Sequence, residues 1–201
     1  PALVTLKDKR SELIVAVPGE VWGLNPETGK LIWFAEHQLT GNICPSIVAD
    51  GENVFVFGGF RSAGSLAVRA GGRDDVSKSH VIWSSRNSSY VATPVLHEGH
   101  LYWIDDRGQA FCVDAKSGEL VYRERVSQLD SGGRPVYASP VLANGRIYVP
   151  SRWNGVLVLA AKPKYEVLAQ NRFREDESDF NASAAISQGD LFLRSNRYLY
   201  C

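Results

Sequence analysis

The chain has 201 residues, of which 44% are hydrophobic, and this excludes an intrinsically disordered protein. Its 22 basic and 22 acidic residues cancel, which argues against a general nucleic-acid-binding protein with its basic excess. No apolar run reaches the roughly 20 residues that a membrane-spanning helix needs, so we expect no membrane span.

The N-terminus starts within an apolar pattern, at Pro1-Ala2-Leu3-Val4, with no initiating methionine and no signal-peptide pattern. We therefore expect a fragment whose natural start is absent. Helical periodicity is nearly absent throughout. Short β-branched and aromatic runs alternate instead with turns rich in Gly, Asn, Asp and Ser, which predicts an all-β protein.

A turn motif appears first at residues 23–33 and again at residues 112–122. Both copies read small, apolar, Asx, two variable residues, Thr or Ser, Gly, one variable residue, two apolar residues and an aromatic residue. The Asx side chain can accept hydrogen bonds from nearby backbone amides, and Gly supplies a positive φ. We expect the closing Trp33 and Tyr122 to enter the next strand as flat packing elements between sheets.

A second segment recurs from residue 44 onward. It reads small residue, Pro or near it, two apolar residues, a Gly turn, then an apolar–aromatic–apolar run. If Val54, Leu101, Ile147 and Leu191 are equivalent, the spacings are 47, 46 and 44 residues. A fixed period of this size indicates a repeat architecture. Each repeat divides into four strands, which in the third copy lie at about residues 93–96, 100–104, 109–113 and 120–125.

This motif and its period resemble the tryptophan-docking repeat of the pyrroloquinoline-quinone-type β-propellers. The resemblance is greater to the non-enzymatic lipoprotein that assists outer-membrane assembly than to the quinoprotein dehydrogenases. The second copy keeps Val81-Ile82-Trp83 but replaces the turn by a longer loop at residues 69–75. The fourth copy has no aromatic residue where Trp33 would be.

The resemblance implies a β-propeller of four-stranded antiparallel blades. It places blades at about residues 1–43, 44–91, 92–137 and 138–181 and a half-blade at 182–201, in one partial propeller domain of residues 1–201. Rings of this family usually have about eight blades. We therefore expect a fragment, with an open arc or half of a ring completed by another chain as alternatives. Exposed blade faces predict association with itself or with the missing blades.

The cysteines show no metal-ligand spacing. Cys112 and Cys201 occupy the small-residue position that Gly23 and Ala67 fill in other repeats, so we expect buried small hydrophobic residues. A Cys44–Cys112 disulfide or a metal site is the alternative.

Functional residues are expected on the face that carries the loops between blades and between second and third strands. Trp153 beside Arg152 suggests a binding anchor, although the ring could instead pack across the gap between blades. Arg61 and residues 128–134 belong to the same face, and a solvated polar rim is the alternative for all of it. The candidate contacts to a partner or ligand are Arg107, Arg152, Trp153, Asn154, Arg194 and Arg197.

No catalytic residue and no metal ligand is predicted. Asp105 and Asp106 more simply satisfy their own turn, and the acidic run at residues 175–179 is a solvated loop or a docking patch for a basic partner. The dehydrogenases of the family use vicinal cysteines and a calcium site. This chain has no vicinal cysteines, and no calcium-ligand set can be matched to it. We therefore expect no cofactor, with pyrroloquinoline quinone and calcium conceivable only if missing blades supply their site.

The functional hypothesis is a non-catalytic propeller scaffold that presents its loop face to a protein partner. Two alternatives stay open: a fragment of a quinone-dependent alcohol or sugar dehydrogenase, and a carbohydrate- or ligand-sensing propeller that uses Trp153 and the arginines. The resemblance also implies a periplasmic or exported bacterial protein.

Overall fold

The fold is all-β, as predicted. The computed structural model describes residues 1–60, 62–129 and 133–201, and no helix occurs among them. No described segment could therefore cross a membrane as an apolar helix.

The chain divides into two compact units, each described by itself. The first unit comprises Pro1–Thr93 and Ala115–Gly118, and the second comprises Pro94–Asp114 and Glu119–Cys201. The strands of the first unit are β1 Ala2–Thr5, β2 Ser11–Val17, β3 Glu20–Leu24, β4 Leu31–Glu36, β5 Val48–Asp50, β6 Asn53–Gly58, β7 Gly64–Arg69, β8 Asp74–Asp75 and β9 Val81–Ser85. Those of the second unit are β10 Val95–His97, β11 His100–Ile104, β12 Gln109–Asp114, β13 Leu120–Arg125, β14 Val141–Ala143, β15 Arg146–Pro150, β16 Val156–Ala160, β17 Val167–Asn171, β18 Ala185–Ser187, β19 Asp190–Arg194 and β20 Leu199–Tyr200.

The strands form five sheets in which neighbours in sequence are neighbours in space. The first unit holds the sheets β1-β2-β3-β4-β8 and β5-β6-β7-β9, and the second holds β10-β11-β12-β13, β14-β15-β16-β17 and β18-β19-β20. All pairings are antiparallel except that of β4 with β8. Among the described residues, three sheets have four strands, the first has four with β8 added at its edge, and the last has three, in agreement with the predicted four and a half blades.

The first and second strands of each second-unit sheet are joined by a tight turn with Gly at its second central position. The first central residue also has a positive φ: 46° at Glu98, 49° at Asn144 and 52° at Gln188. Two positive φ angles match the twist of the flanking strands, which is why these turns close hairpins. We call these three turns the turn end of the sheets, because the hairpins from second to third strands lie at the opposite end.

A small residue on the third strand faces an aromatic residue on the fourth in the first three repeats. Gly23 pairs with Trp33, Ala67 with Trp83, and Cys112 with Tyr122, and the register shifts directly after each small residue. A Cβ atom on Gly23 would lie 2.1 Å from the Trp33 ring. The position requires a small residue because the aromatic ring fills the space that a larger side chain would need. In the fourth repeat the sizes are exchanged, since Val158 faces Ala169.

The two repeat tryptophans of the first unit, Trp33 and Trp83, use different hydrogen-bond acceptors. The Trp83 indole donates to the carbonyl of Ala115 at 2.9 Å, and a Cβ on Gly118 would lie 2.6 Å from its ring. The Trp33 indole instead donates to the Glu12 carboxylate at 2.7 Å. That carboxylate is 1% exposed and also accepts the Gly71 amide at 3.1 Å. Gly71 belongs to the loop that replaces the turn motif in the second repeat. This loop therefore helps to hold the carboxylate that binds Trp33.

The same loop continues into β8, which covers the outer edge of β4. Trp33 and Phe34 pair with Asp74 and Asp75, and the Val76 amide donates to the Phe34 carbonyl at 2.9 Å. Unpaired edge strands are prone to pair with other chains. The departure from the repeat pattern in the second copy therefore protects part of one sheet edge.

The three cysteines are free. Cys112 is buried, as predicted, and burial raises the pKa of its thiol to about 11. Cys44 is exposed. The prediction of burial is wrong for Cys201, because it follows β20 at the edge of the three-stranded sheet and is exposed.

Gly23→Ala should destabilise the first unit by about 1–3 kcal/mol, the cost of overpacking a filled core. The added methyl group would meet the rigid Trp33 ring, which has no room to move. Thermal and denaturant unfolding followed by tryptophan fluorescence would measure the loss. Ser84→Ala, at an exposed position of β9, is the control and should change stability by less than about 0.5 kcal/mol. Equal stability of Gly23→Ala and the native chain would contradict the packing argument.

Candidate functional site

The connecting loops of the second unit touch one another in sequence order and form a continuous surface. We call this surface the loop face and define it as residues 105–108, 133–135, 151–155, 172–181 and 195–198. Its links are the Arg134–Asp106 ion pair at 3.4 Å and the hydrogen bonds from the amides of Arg152 to Pro135 at 2.8 Å, Phe180 to Arg152 at 3.1 Å and Asn196 to Asp179 at 3.0 Å. Hydrogen bonds and an ion pair thus connect loops that follow different strands.

Arg152 is held from three sides within this surface. Its guanidinium lies 5.2 Å from the centre of the Tyr137 ring and 4.5 Å from that of Trp153, and it forms an ion pair with Asp179. Cations over aromatic faces are attracted by the ring quadrupole. The Arg152 guanidinium is therefore engaged by side chains of the chain itself, and it packs against the Trp153 ring.

Trp153 is fixed in place and yet 43% exposed. Its indole nitrogen donates to the Asp179 carboxylate at 2.9 Å, and a Cβ on Gly133 would lie 3.1 Å from the ring. The ring thus packs against neighbouring loops, as the alternative expected, and still leaves part of its surface open to solvent. A rigid, exposed aromatic ring loses little entropy on binding, which suits a binding anchor.

Asp179 joins the two loops on either side of it. One carboxylate oxygen accepts the Trp153 indole, the other accepts the Arg152 guanidinium, and its backbone carbonyl accepts the Asn196 amide. The hydrogen bond from Arg152 is the main cause that lowers the pKa of Asp179 below its ordinary value of 3.8. The charged form is therefore favoured, and it holds both neighbouring loops.

Asn154 lies in the interior, with 3% of its surface exposed. Its amide donates to the Ser151 hydroxyl at 3.0 Å and its carbonyl accepts the Gln170 side chain at 2.8 Å. Asn154 therefore shapes the loop that carries Trp153 and has almost no surface with which to contact a partner.

The three remaining candidate arginines, Arg107, Arg194 and Arg197, are exposed. The carbonyl of Arg107 accepts the Arg125 guanidinium at 2.7 Å, and the Arg197 amide donates to the Ser195 hydroxyl at 3.1 Å. These contacts involve the backbone of Arg107 and Arg197, whose side chains are exposed. Tyr198, which the sequence analysis did not select, is 54% exposed beside Arg197.

The adjacent carboxylates of Asp105 and Asp106 on the loop face bind groups of the chain itself. One oxygen of Asp105 accepts the amides of Arg107 and Gln109 at 3.0 and 2.8 Å, while Asp106 pairs with Arg134. Burial raises the pKa of Asp105. No group of three His, Cys, Asp or Glu side chains that could hold a metal ion occurs among the described residues.

The first unit carries a separate cavity of about 790 Å³ near its own connecting loops. Its lining is rich in serine and includes Glu36, His37 and Arg86. Burial lowers the pKa of His37, whose Nδ1 atom accepts the Leu39 amide at 3.1 Å. Arg61, predicted on the same surface, lies outside the described residues, as do residues 130–132 in the second unit.

Comparison with known families identifies the chain. A sequence model described as outer membrane protein assembly factor BamB matches residues 17–163, which is well over half of the chain. The chain belongs to this BamB-like family. No curated protein sequence matches it.

Solved structures agree in fold. BamB from Moraxella catarrhalis has a TM-score of 0.68 at 16% identity, covering 96% of this chain and 54% of that one. The Cps50 (Swd1) β-propeller domain of Myceliophteria thermophila reaches 0.62 at 13% identity, covering 99% and 68%. Quinohemoprotein alcohol dehydrogenase ADHIIG from Pseudomonas putida HK5 reaches 0.51 at 15% identity, covering 68% and 22%. The β-propeller prediction is thereby confirmed, and the chain spans about half the length of the Moraxella protein.

The resemblance attributes vicinal cysteines and a calcium site to the quinone cofactor of the dehydrogenases. The three cysteines are at positions 44, 112 and 201, and no group of three His, Cys, Asp or Glu side chains that could hold a metal ion occurs in the described part of the chain. The expectation of no cofactor stays a prediction.

Asp179→Asn should loosen both loops that Asp179 connects. The amide side chain cannot accept two charge-assisted hydrogen bonds at once, and such bonds are the stronger kind. Hydrogen–deuterium exchange should increase in peptides covering residues 151–155 and 195–198 while the strands of β14–β17 stay protected. Asp190→Asn, at an exposed strand position, should leave the exchange unchanged. Unchanged loop exchange in Asp179→Asn would show that the carboxylate is not the junction.

Proposed function

We propose that the chain is a non-catalytic scaffold that binds a protein partner through the loop face. The observation that carries the proposal is Trp153, an exposed aromatic ring that Asp179 and Arg152 hold rigid. Around it the exposed side chains of Arg107, Arg194 and Arg197 offer charged contacts. Aromatic residues and arginine are the residue types enriched at the centres of protein interfaces.

Family membership supports a partner in the assembly of outer-membrane proteins, since that is what the family's name describes. It also supports an exported protein that works outside the cytoplasm. These points concern the family, and the chain spans about half of the Moraxella BamB structure.

A photo-cross-linking amino acid placed at Arg107, Arg194 or Arg197 should capture one defined protein from the envelope extract of a Gram-negative bacterium. The reason is that Arg107 and Arg197 lie on the loop face, and Arg194 ends the strand directly before its last segment. The measurement is the cross-linked band on a gel and its identity by mass spectrometry.

The matched control uses the same three sheets. The cross-linker at Glu98, Asn144 or Gln188 sits at the turn end, opposite the loop face, and should capture nothing in common. Equal capture from both ends, or none from the loop face, would contradict the proposal.

Pyrroloquinoline quinone added with calcium should leave the melting temperature of the chain unchanged. A ligand that binds only the native state raises the melting temperature by mass action. Because no ligand set for this cofactor can be matched to the chain, we expect no rise. Differential scanning fluorimetry over a cofactor titration makes the measurement. A saturable rise in melting temperature would contradict the non-catalytic assignment and favour the dehydrogenase alternative.

A further inference from the structure

A groove runs along residues 172–178 of the second unit between two exposed aromatic side chains. It consists of two cavities, of about 630 and 380 Å³, that share Arg172, Phe173, Arg174 and Asp176 in their linings. Trp153 lines the smaller cavity and Tyr198 lines the larger one. Volumes of this size are those of small-molecule sites, which range over roughly 300–1,000 Å³.

The lining of this groove combines aromatic rings with planar charged groups and contains no aliphatic side chain. The aromatic members form a connected cluster: the Phe173 and Tyr200 rings lie 4.5 Å apart between centroids, and Tyr198 and Tyr200 lie 6.0 Å apart. A groove built to hold a lipid chain or a leucine side chain would offer aliphatic surface. Flat apolar faces beside hydrogen-bonding groups suit a different ligand.

The exposed charges in the groove are two of each sign. Arg172 and Arg174 are exposed, and so are Glu175 and Glu177. The third carboxylate, Asp176, is buried and leaves the lining with one negative charge in excess; it accepts the hydroxyl groups of Ser178 at 2.6 Å and Tyr200 at 2.7 Å. An acidic or a basic peptide would be favoured by a large excess of one sign. Exposed charged groups of both signs in equal number favour a neutral ligand with many hydroxyl groups.

The two aromatic ends are held in different ways before any ligand arrives. The Trp153 ring is fixed by the hydrogen bond from its indole to Asp179. Tyr198 is held through its backbone amide, which donates to the Ser195 hydroxyl at 2.9 Å, and its ring lies 6.0 Å from that of Tyr200. The carbonyl of Asp179 accepts the amide of Asn196, so the two anchors share one residue. Preorganised rings lose less conformational entropy on binding than mobile ones.

We propose that this groove binds a neutral oligosaccharide, with sugar rings stacked on Trp153 and Tyr198 and vicinal hydroxyl pairs bound by Arg172, Arg174 and the free glutamates. A pyranose ring has apolar C–H faces that match aromatic faces. Its adjacent hydroxyls match the paired donors of guanidinium and the paired acceptors of carboxylate. The site goes beyond the scaffold function and does not depend on it.

The test uses cellotetraose, chitotetraose and maltotetraose as probes, with saturation-transfer NMR and calorimetry on the full chain. At least one should bind saturably, with affinity independent of salt between roughly 0.05 and 0.5 M because no net charge is neutralised. Sugar C–H protons should receive saturation from aromatic rings.

Trp153→Ala and Tyr198→Ala should each weaken binding about three- to tenfold, the value of one aromatic contact. Tyr198→Phe keeps the ring and should bind like the native chain, which separates stacking from a folding defect. Phe60→Ala removes an equally exposed aromatic residue of the first unit and is the matched control.

Three outcomes would overturn the proposal: no saturable binding of any of the three sugars, equal binding by the alanine variants, or binding of hexaglutamate in preference to the sugars with strong salt dependence. The last result would assign the groove to an acidic peptide. Failure of the sugars would leave the cross-linking result for the protein partner unaffected, because that experiment uses no sugar.

Discussion

The loop face depends on one carboxylate. Asp179 accepts the indole of Trp153 and the guanidinium of Arg152, while its carbonyl accepts the amide of Asn196. Charge-assisted hydrogen bonds of this kind are stronger than neutral ones, and here they act between loops that have no regular structure of their own. Two exposed aromatic side chains that are 45 residues apart in sequence, Trp153 and Tyr198, are thereby held on one surface.

The sheets obey a simpler constraint, and the sequence contains it. A small residue on one strand leaves room for an aromatic residue on the next, which Gly23 with Trp33 shows most clearly. The recurring segment and its period made the repeat predictable, the short apolar runs between turns indicated the all-β class, and the family resemblance implied the β-propeller fold. The blade bounds drawn from the period stay a prediction. Cys112 fits the same rule as a buried small residue.

The details of the site were harder to predict, for physical reasons. Asp179 belongs to an acidic run whose composition suggested a solvated loop, and no spacing rule relates it to Trp153, 26 residues earlier. Tyr198 carries no motif, and Asn154 directly follows the exposed Trp153 and yet is buried, because its loop folds over Ser151. Long-range contacts between irregular loops leave no periodic signal. The pairing of β8 with β4 could not be predicted either, because a strand of two residues is too short to show a periodic pattern.

The most direct test of this account is the pH titration of the Trp153 indole resonance in a ¹H–¹⁵N NMR spectrum. The folded pKa of Asp179 is lowered, so the carboxylate should stay charged and keep the loops joined above pH 3.8. The stabilisation that the charged carboxylate gives to the loops should be lost only as the pH falls below that value toward the folded pKa. The account predicts an indole signal protected from exchange that shifts with a midpoint below 3.8. A signal that exchanges freely, or one that titrates at or above 3.8, would contradict it.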